Sequence, residues 1–200
     1  RDDNLLVRIR HAALVPGGEG RGYRRGLDLV ADRLIASGND RRAMLKLATE
    51  DNRALVVEGY MDVVALAQHG VEYAVATLGT ATTPYHVQKL LRLSDRVVFC
   101  FDGDAAGRKA AWRALENALP QLVDGKSINF LFLPPEHDPD SFIREHGKDA
   151  FERLLRESLP LSGYLLRELS SQVDLRTQEG RSVLLQRAKP LLTAIVAPAT

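Results

Sequence analysis

Acidic side chains recur directly after short apolar runs in the middle of the chain. Glu58 follows one such run, and Asp102 and Asp104 follow another, with a single glycine between them. Asp62 lies one helical turn beyond Glu58 and can face the same way. Carboxylates gathered in one place repel one another without a counter-charge, and their oxygens are ligands that suit Mg²⁺. The pattern therefore favours a divalent-metal site of the kind used in phosphoryl chemistry.

Two further aspartates, Asp138 and Asp140, follow an apolar run at 128–133 after a short loop. They could extend the acidic cluster. The sequence Asp-Pro-Asp-Ser at 138–141 is also a good start for a helix, in which Asp138 would be a cap. Both interpretations of Asp138 stay open at this stage.

Basic side chains lie close to the acidic ones along the chain. Arg108 and Lys109 follow Asp104 at the start of a predicted helix, and we expect Arg108 to bind a phosphate. A solvated helix face is the alternative for Lys109 and for Arg113, one turn further on. The backbone N–H groups at 79–80 could also bind a phosphate, or form only a turn.

The elements that must position these residues are short strands alternating with helices. The apolar runs predict strands at 54–57, 73–78, 96–101 and 128–133, with helices at 62–68, 84–93 and about 105–119. This alternation is typical of an α/β fold with a parallel sheet flanked by helices. Because ligands bind at the carboxyl ends of the strands in such sheets, the acidic residues are expected to meet at one edge.

The segments on either side of the alternating strands and helices differ from them in sequence pattern, so we predict that the chain has three structural parts. Residues 1–50 form a partial, basic amino-terminal appendage, and residues 51–158 form the catalytic domain. Two or three short helical segments are expected between 134 and 158. Pro160 marks a boundary, after which residues 159–200 form a helical subdomain with helices at 161–169 and 183–196.

Composition limits the possible functions. The chain has 200 residues, 45% of them apolar, which is enough for one α/β domain and a small appendage. With a net charge of +1, contacts with nucleic acid must come from a local basic patch. The best such patch is Arg21, Arg24 and Arg25, beside Tyr23; a solvated loop that binds nothing is the alternative.

The cysteine content and the first residues of the chain indicate the cellular compartment of the protein. A single cysteine excludes an internal disulfide framework and a multi-cysteine zinc site, which suggests a reducing cytosol. No apolar run approaches the ~20 residues that span a bilayer, and the first residues do not form a signal peptide. The chain does not begin with methionine, so we expect it to be part of a longer cytoplasmic protein.

Four segments resemble the signatures of bacterial replicative DNA primases in order and spacing. They are Val-Val-Glu-Gly-Tyr-Met-Asp at 56–62, Ala-Thr-Leu-Gly-Thr at 76–80, Phe-Asp-Gly-Asp-Ala-Ala-Gly-Arg-Lys at 101–109, and Phe-Leu-Pro followed by Asp-Pro-Asp between 132 and 140. The helical tail is also similar to the primase segment that follows the catalytic fold. The resemblance implies a TOPRIM fold and template-directed synthesis of RNA primers.

The resemblance also implies roles for particular residues and partners. Glu58, Asp102 and Asp104 would bind catalytic Mg²⁺ or Mn²⁺, and primases add the positions of Asp62 and Asp140. The expected partners are a single-stranded DNA template, ribonucleoside triphosphates and the replicative helicase. We expect the helicase-binding domain and the zinc module of primases to lie outside this chain. The Lys-Tyr-Leu-Asn-Ser motif of their template-binding ridge is not found in residues 1–50.

Other activities stay open on the sequence alone. A nuclease would use the same carboxylates with water as the nucleophile, and Glu58 could act as a general acid or base instead of a ligand. A topoisomerase would need a tyrosine nucleophile in a separate domain. A fragment that binds nucleic acid or a replication partner without catalysis is the remaining alternative.

Overall fold

A sheet of mostly parallel strands organises the chain. In a computed structural model, residues 52–76 and 82–197 are described. The elements are β1 (Arg53–Val57), α1 (Tyr60–Gln68), β2 (Ala74–Ala76), α2 (Pro84–Leu93), β3 (Arg96–Phe101), α3 (Ala105–Ala118), a 3₁₀ turn (Leu119–Gln121), β4 (Ser127–Phe132), α4 (Pro139–Arg156), β5 (Leu159–Pro160), α5 (Leu161–Ser171) and α6 (Gln178–Thr193).

The strand order within the sheet is β2-β1-β3-β4-β5. The first four strands are parallel, with Val56 paired to Phe99 and Phe101 to Phe132, and β5 runs antiparallel to β4. The chain places β2 on one side of β1 and then returns to place β3 on the other side of β1. In doubly wound sheets of this order, the resulting switch point between β1 and β3 opens a crevice at the carboxyl ends of the strands.

The central strands β1 and β3 are apolar after their first residue because both faces of the sheet are covered. One face, formed by alternate residues such as Leu55, Val98 and Leu131, packs against α1 and α4. The opposite face, which includes Phe99 and Phe130, packs against α2, α3 and α5. The two cores hold the carboxyl ends of β1, β3 and β4 in fixed register.

The fold agrees with most of the sequence-based prediction. Strand β3 and helix α2 have the predicted bounds, and the predicted parallel sheet flanked by helices is confirmed for the first four strands. The two-residue strand β5, which the sequence did not predict, pairs antiparallel with β4 at the edge of this sheet. So short a strand, containing a proline, has no period-two pattern to reveal it. The predicted amino-terminal appendage at 1–50 lies outside the described residues.

The carboxy-terminal helices begin against the same sheet. Helix α5 buries Leu161, Tyr164, Leu165 and Leu169 in the core that β3 and β4 share with α3. The boundary between residues 158 and 159 therefore stays a prediction, since sheet and core continue across it. None of the helices within the described parts of the chain has the length and apolar character needed to cross a membrane.

Candidate active site

Glu58 and Asp102 meet at the switch point of the sheet. Glu58 is the first residue after β1, and Asp102 is the first residue after the neighbouring strand β3. Because Val56 pairs with Phe99, the two strands end at nearly the same level. The structure thus brings together the residues that the sequence placed at one sheet edge.

Two glycines in the segment that joins β3 to α3 lie very close to other parts of the backbone. A Cβ atom at Gly103 would lie 2.2 Å from the Leu133 carbonyl oxygen, which follows β4. A Cβ atom at Gly107 would lie 2.2 Å from the Asp102 carbonyl oxygen. Only glycine fits at either position, and the tight loop fixes Asp102 and Asp104 relative to the ends of β3 and β4.

Asp104 is also the N-cap of helix α3. Its Oδ1 accepts a hydrogen bond from the Gly107 backbone N–H at 2.7 Å, and the side chain is exposed. A carboxylate at this position satisfies one of the free N–H groups of the first turn and interacts favourably with the helix dipole. Asp104 therefore has a structural role in addition to its predicted role as a ligand.

Asp62 is held in the first turn of α1, one helical turn beyond Glu58. Its Oδ2 accepts a hydrogen bond from the Gly59 backbone N–H at 3.0 Å. Burial raises the pKa of Asp62 to about 6, and the carboxylates of Asp138 and Asp102 contribute to the increase. The backbone N–H groups of Gly59 and Asp140 bond to the charged form and act in the opposite direction.

The carboxylates interact with one another. Burial raises the pKa of Asp102 to about 6, with further increases from the charges of Glu58, Asp138 and Asp104. Burial and the charge of Asp104 also raise the pKa of Glu58. Within residues 52–76 and 82–197, no ion pair with a basic side chain neutralises these groups. An excess of oxygen ligands without counter-charge fits a divalent cation.

Asp138 combines the two interpretations that the sequence left open, a helix cap and a charge near the acidic cluster. It caps α4, with Oδ1 accepting from the Ser141 backbone N–H at 2.7 Å, and this bond is the main reason that its pKa is lowered. Its negative charge also contributes to the raised pKa values of Asp62 and Asp102. The capping sequence at 138–141 was a visible signal, but it pointed only to the structural role.

Asp140 lies in the first turn of α4. Its carboxylate forms an ion pair with Arg144, and its backbone N–H faces Asp62. The structure therefore brings the backbone of Asp140 to the acidic edge, and the role of its carboxylate as a ligand stays a prediction.

The predicted phosphate-binding residues lie near the start of α3. Arg108 and Lys109 are exposed, and neither forms an ion pair within the described parts of the chain. Arg108 lies close enough to Tyr164 on α5 for its positive charge to affect the pKa of the phenol. Arg21, Arg24 and Arg25 lie outside the described residues, as do residues 79–80.

Comparisons with known proteins agree with this geometry. Residues 55–143 match the family described as Toprim-like, and residues 162–200 match the DnaB-helicase binding domain of primase. Residues 55–143 therefore have a Toprim-like fold. A DNA primase of Neisseria meningitidis serogroup A is 64% identical over 151 residues, which are 75% of this chain and 26% of that protein.

Solved structures give the same result. The Escherichia coli primase catalytic core has a TM-score of 0.74 and 51% identity, covering 78% of this chain and 50% of that one. The DnaG primase catalytic domain bound to single-stranded DNA has a TM-score of 0.73 and 50% identity, covering 78% of this chain and 51% of that one. Over the matched residues, the chain is therefore related to bacterial DNA primases. It spans about a quarter of the curated relative's length and about half of these solved cores.

The match over residues 162–200 corrects one expectation. The helicase-binding domain was expected to lie outside this chain, whereas the matched segment includes most of α5 and all of α6. The sequence signal was weak because two short amphipathic helices resemble any helical appendage.

Proposed function

We propose that this chain carries the nucleotidyl-transfer site of a DNA primase, which synthesises short RNA primers on a single-stranded DNA template from ribonucleoside triphosphates. The observation that carries the proposal is the convergence of Glu58, Asp102 and Asp104 at the switch point without a basic counter-charge. The names of the relatives support a primase over the nuclease and topoisomerase alternatives.

The residues that would hold Mg²⁺ or Mn²⁺ are Glu58, Asp102 and Asp104, with Asp62 and Asp140 completing or supporting the cluster. When bound, such a cation lowers the pKa of the attacking 3′-hydroxyl and neutralises charge on the phosphoryl oxygens. Burial and the charge of Asp104 raise the pKa of Glu58, and this residue could act as a general acid or base instead of a ligand.

The start of α3 would bind the nucleotide phosphates. The first backbone N–H groups of a helix and its dipole favour anions, and Arg108 and Lys109 add positive charge in the second turn. The Asp104 cap fixes this end of the helix beside the acidic edge. The chain therefore offers oxygen ligands and phosphate-binding groups at neighbouring positions.

Primer synthesis by an Asp102→Asn variant tests the proposal. The substitution keeps the side-chain shape and removes the charge, so we expect at least about a 100-fold loss, which is the loss seen when a group that stabilises transition-state charge is removed. Asp149→Asn, at an exposed position on α4, is a control with the same change of charge. Labelled ribonucleotides and labelled DNA in the same assay distinguish primer extension from DNA cleavage.

Retention of primer synthesis by Asp102→Asn would contradict the assignment of the site. DNA binding by the unaltered chain without any extension would favour the non-catalytic alternative. Cleavage of the DNA without extension would favour a nuclease.

We also propose that residues 162–200 contact the replicative helicase. Leu185 and Leu192 on α6 are 69% and 53% exposed and lie two helical turns apart on one face. An exposed apolar helix face of this kind binds in a groove of a partner. A protein acting with the helicase would work at replication forks in the cytoplasm.

A helicase-binding assay with a Leu185→Ser/Leu192→Ser variant tests this contact. We expect at least tenfold weaker binding with primer synthesis unchanged. Val123→Ser, at a residue 50% exposed outside the matched segment, is the control. Equal affinity of all three proteins would contradict the proposed contact.

A further inference from the structure

Two histidines and a glutamate gather at the start of α4, on side chains that the acidic site does not use. The ligand atoms of His137, Glu145 and His146 all lie within 4.8 Å of one another. One carboxylate oxygen of Glu145 is 4.0 Å from Nε2 of His137, and the other is 3.8 Å from Nε2 of His146. Glu145 thus lies within reach of both imidazoles.

The local fold orients the imidazole of His137. Nδ1 of His137 lies 3.3 Å from the Ser141 hydroxyl, so its Nε2 remains available to Glu145. The buried Phe142 ring contacts His137 edge-on with centroids 5.4 Å apart and His146 with centroids 4.6 Å apart. Metal-bound histidines usually have their second nitrogen hydrogen-bonded in this way, which sets the ring orientation.

The types of ligand indicate which metal would bind. Mg²⁺ prefers oxygen ligands alone, whereas two imidazoles with one carboxylate suit Zn²⁺ and similar transition metals. Neighbouring ligand atoms around tetrahedral Zn²⁺ are about 3.3 Å apart, from bonds of about 2.0–2.1 Å. The cluster must contract by roughly 0.5–1.5 Å, which rotamer changes of exposed side chains allow. Glu145 and His146 are 65% and 39% exposed, so they have this freedom.

We propose that His137, Glu145 and His146 bind one Zn²⁺ ion, with water in the remaining coordination position. His137 lies just before α4, whereas Glu145 and His146 lie on the helix before its kink at Gly147. The ion would join the loop after β4 to the first half of α4. It would therefore restrain the turn that carries Asp138 and Asp140, without forming part of the acidic edge.

Zinc binding to the whole chain tests the proposal. The protein is first stripped with a chelator and then titrated with Zn²⁺ against a chromophoric indicator in excess Mg²⁺, which competes for the carboxylate site. We expect one Zn²⁺ per chain, and at least tenfold weaker binding in His137→Ala and in His146→Ala. His69→Ala is the matched control because this histidine bonds to a backbone carbonyl on α1, outside the cluster.

A second measurement keeps the test independent of folding defects and of the proposed catalytic function. In the unaltered chain, Zn²⁺ should shift the NMR resonances of the His137 and His146 imidazoles and leave those of His69 unchanged. Asp102→Asn should bind Zn²⁺ with unchanged affinity, because its side chain belongs to the other site. Absence of stoichiometric binding, unshifted His137 and His146 resonances, or equal affinity in the His137→Ala, His146→Ala and His69→Ala variants would overturn the proposal.

Discussion

Asp104 serves both the fold and the site with one side chain. It caps α3 through the Gly107 backbone N–H, and it adds negative charge at the switch point, where it raises the pKa of Glu58 and Asp102. Capping needs only an oxygen acceptor, whereas a ligand for a divalent cation needs the charge. Substitution by a neutral capping residue therefore separates the two roles.

We expect Asp104→Asn to remain folded and to lose primer synthesis. Asparagine caps helices about as well as aspartate, so the free energy of unfolding should change by less than about 0.5 kcal/mol. Asp104→Ala should lose activity and also about 1 kcal/mol of stability, because the cap is removed. Urea denaturation and primer synthesis check the pair, and an active Asp104→Asn variant would show that the residue only caps the helix.

The carboxyl of Asp102 makes stability depend on pH when no divalent cation is present. Its pKa is raised in the folded chain to about 6, mainly by burial and also by neighbouring carboxylates, from an ordinary value of 3.8. Unfolding therefore releases a proton between these pH values, and the contribution of Asp102 to stability decreases as the pH rises through this range. Asp102→Asn removes this unfavourable ionisation.

We expect Asp102→Asn to stabilise the chain by about 1 kcal/mol at pH 7, after allowance for solvent screening, and to have little effect near pH 4. Urea denaturation with a chelator at both pH values measures the difference between the variant and the unaltered chain. An effect of the same size at pH 4 and pH 7 would exclude ionisation of Asp102 as its cause.

At the scale of elements, the sequence predicted the main positions of the site because strand ends carry clear signals. Glu58 and Asp102 directly follow uninterrupted apolar runs, and a parallel sheet places such ends at one edge. The clustering of His137 with His146 could not be predicted in this way. His137 precedes the helix, so no helical spacing relates the two residues.

The turn between β3 and α3 depends on Gly103. A Cβ atom there would meet the backbone of Leu133, Pro134 and Pro135 at 2.2–2.9 Å, and backbone atoms cannot move aside as a flexible side chain can. We expect Gly103→Ala to lower the free energy of unfolding by about 1–3 kcal/mol, as overpacking does. It should also weaken Mn²⁺ binding, because Asp102 and Asp104 flank the displaced turn.

Gly163→Ala is the control for this substitution. Its Cβ atom would meet only the Pro160 side chain, at 3.4 Å, within helix α5. Alanine favours a helix interior over glycine by up to about 1 kcal/mol, so this variant should be unchanged or more stable. Urea denaturation and Mn²⁺ titration apply to both variants. Normal stability and Mn²⁺ affinity in Gly103→Ala would show that the turn tolerates displacement.

At the scale of the whole molecule, the sequence predicted the layered α/β architecture but not its antiparallel edge. Apolar strands alternating with helices require a sheet covered on both faces, as the structure has. Strand β5 depends instead on tertiary pairing of Leu159 and Pro160 with β4, which local sequence does not encode. The same pairing places α5 against the core, although Pro160 had indicated a boundary.

Charge distribution decides where a nucleic acid can bind this chain. The net charge is only +1, so binding must depend on a local basic surface. Two basic segments are candidates. Arg21, Arg24 and Arg25 lie outside the described residues, and Arg108, Lys109 and Arg113 are exposed on α3, the helix that follows Asp104. The first would stack a base on Tyr23, and the second would bind phosphates near the site of chemistry.

A salt titration of the affinity for single-stranded DNA distinguishes the two segments. Each phosphate contact contributes a slope of roughly −0.7 to the dependence of log affinity on log salt concentration for single strands. An Arg21→Ala/Arg24→Ala/Arg25→Ala variant that loses all three contacts should therefore bind more weakly and show a slope shallower by about 2. The matched Arg108→Ala/Lys109→Ala/Arg113→Ala variant removes the same charge. Unchanged affinity and slope in the amino-terminal variant, together with a shallower slope in the matched one, would assign the template contact to α3.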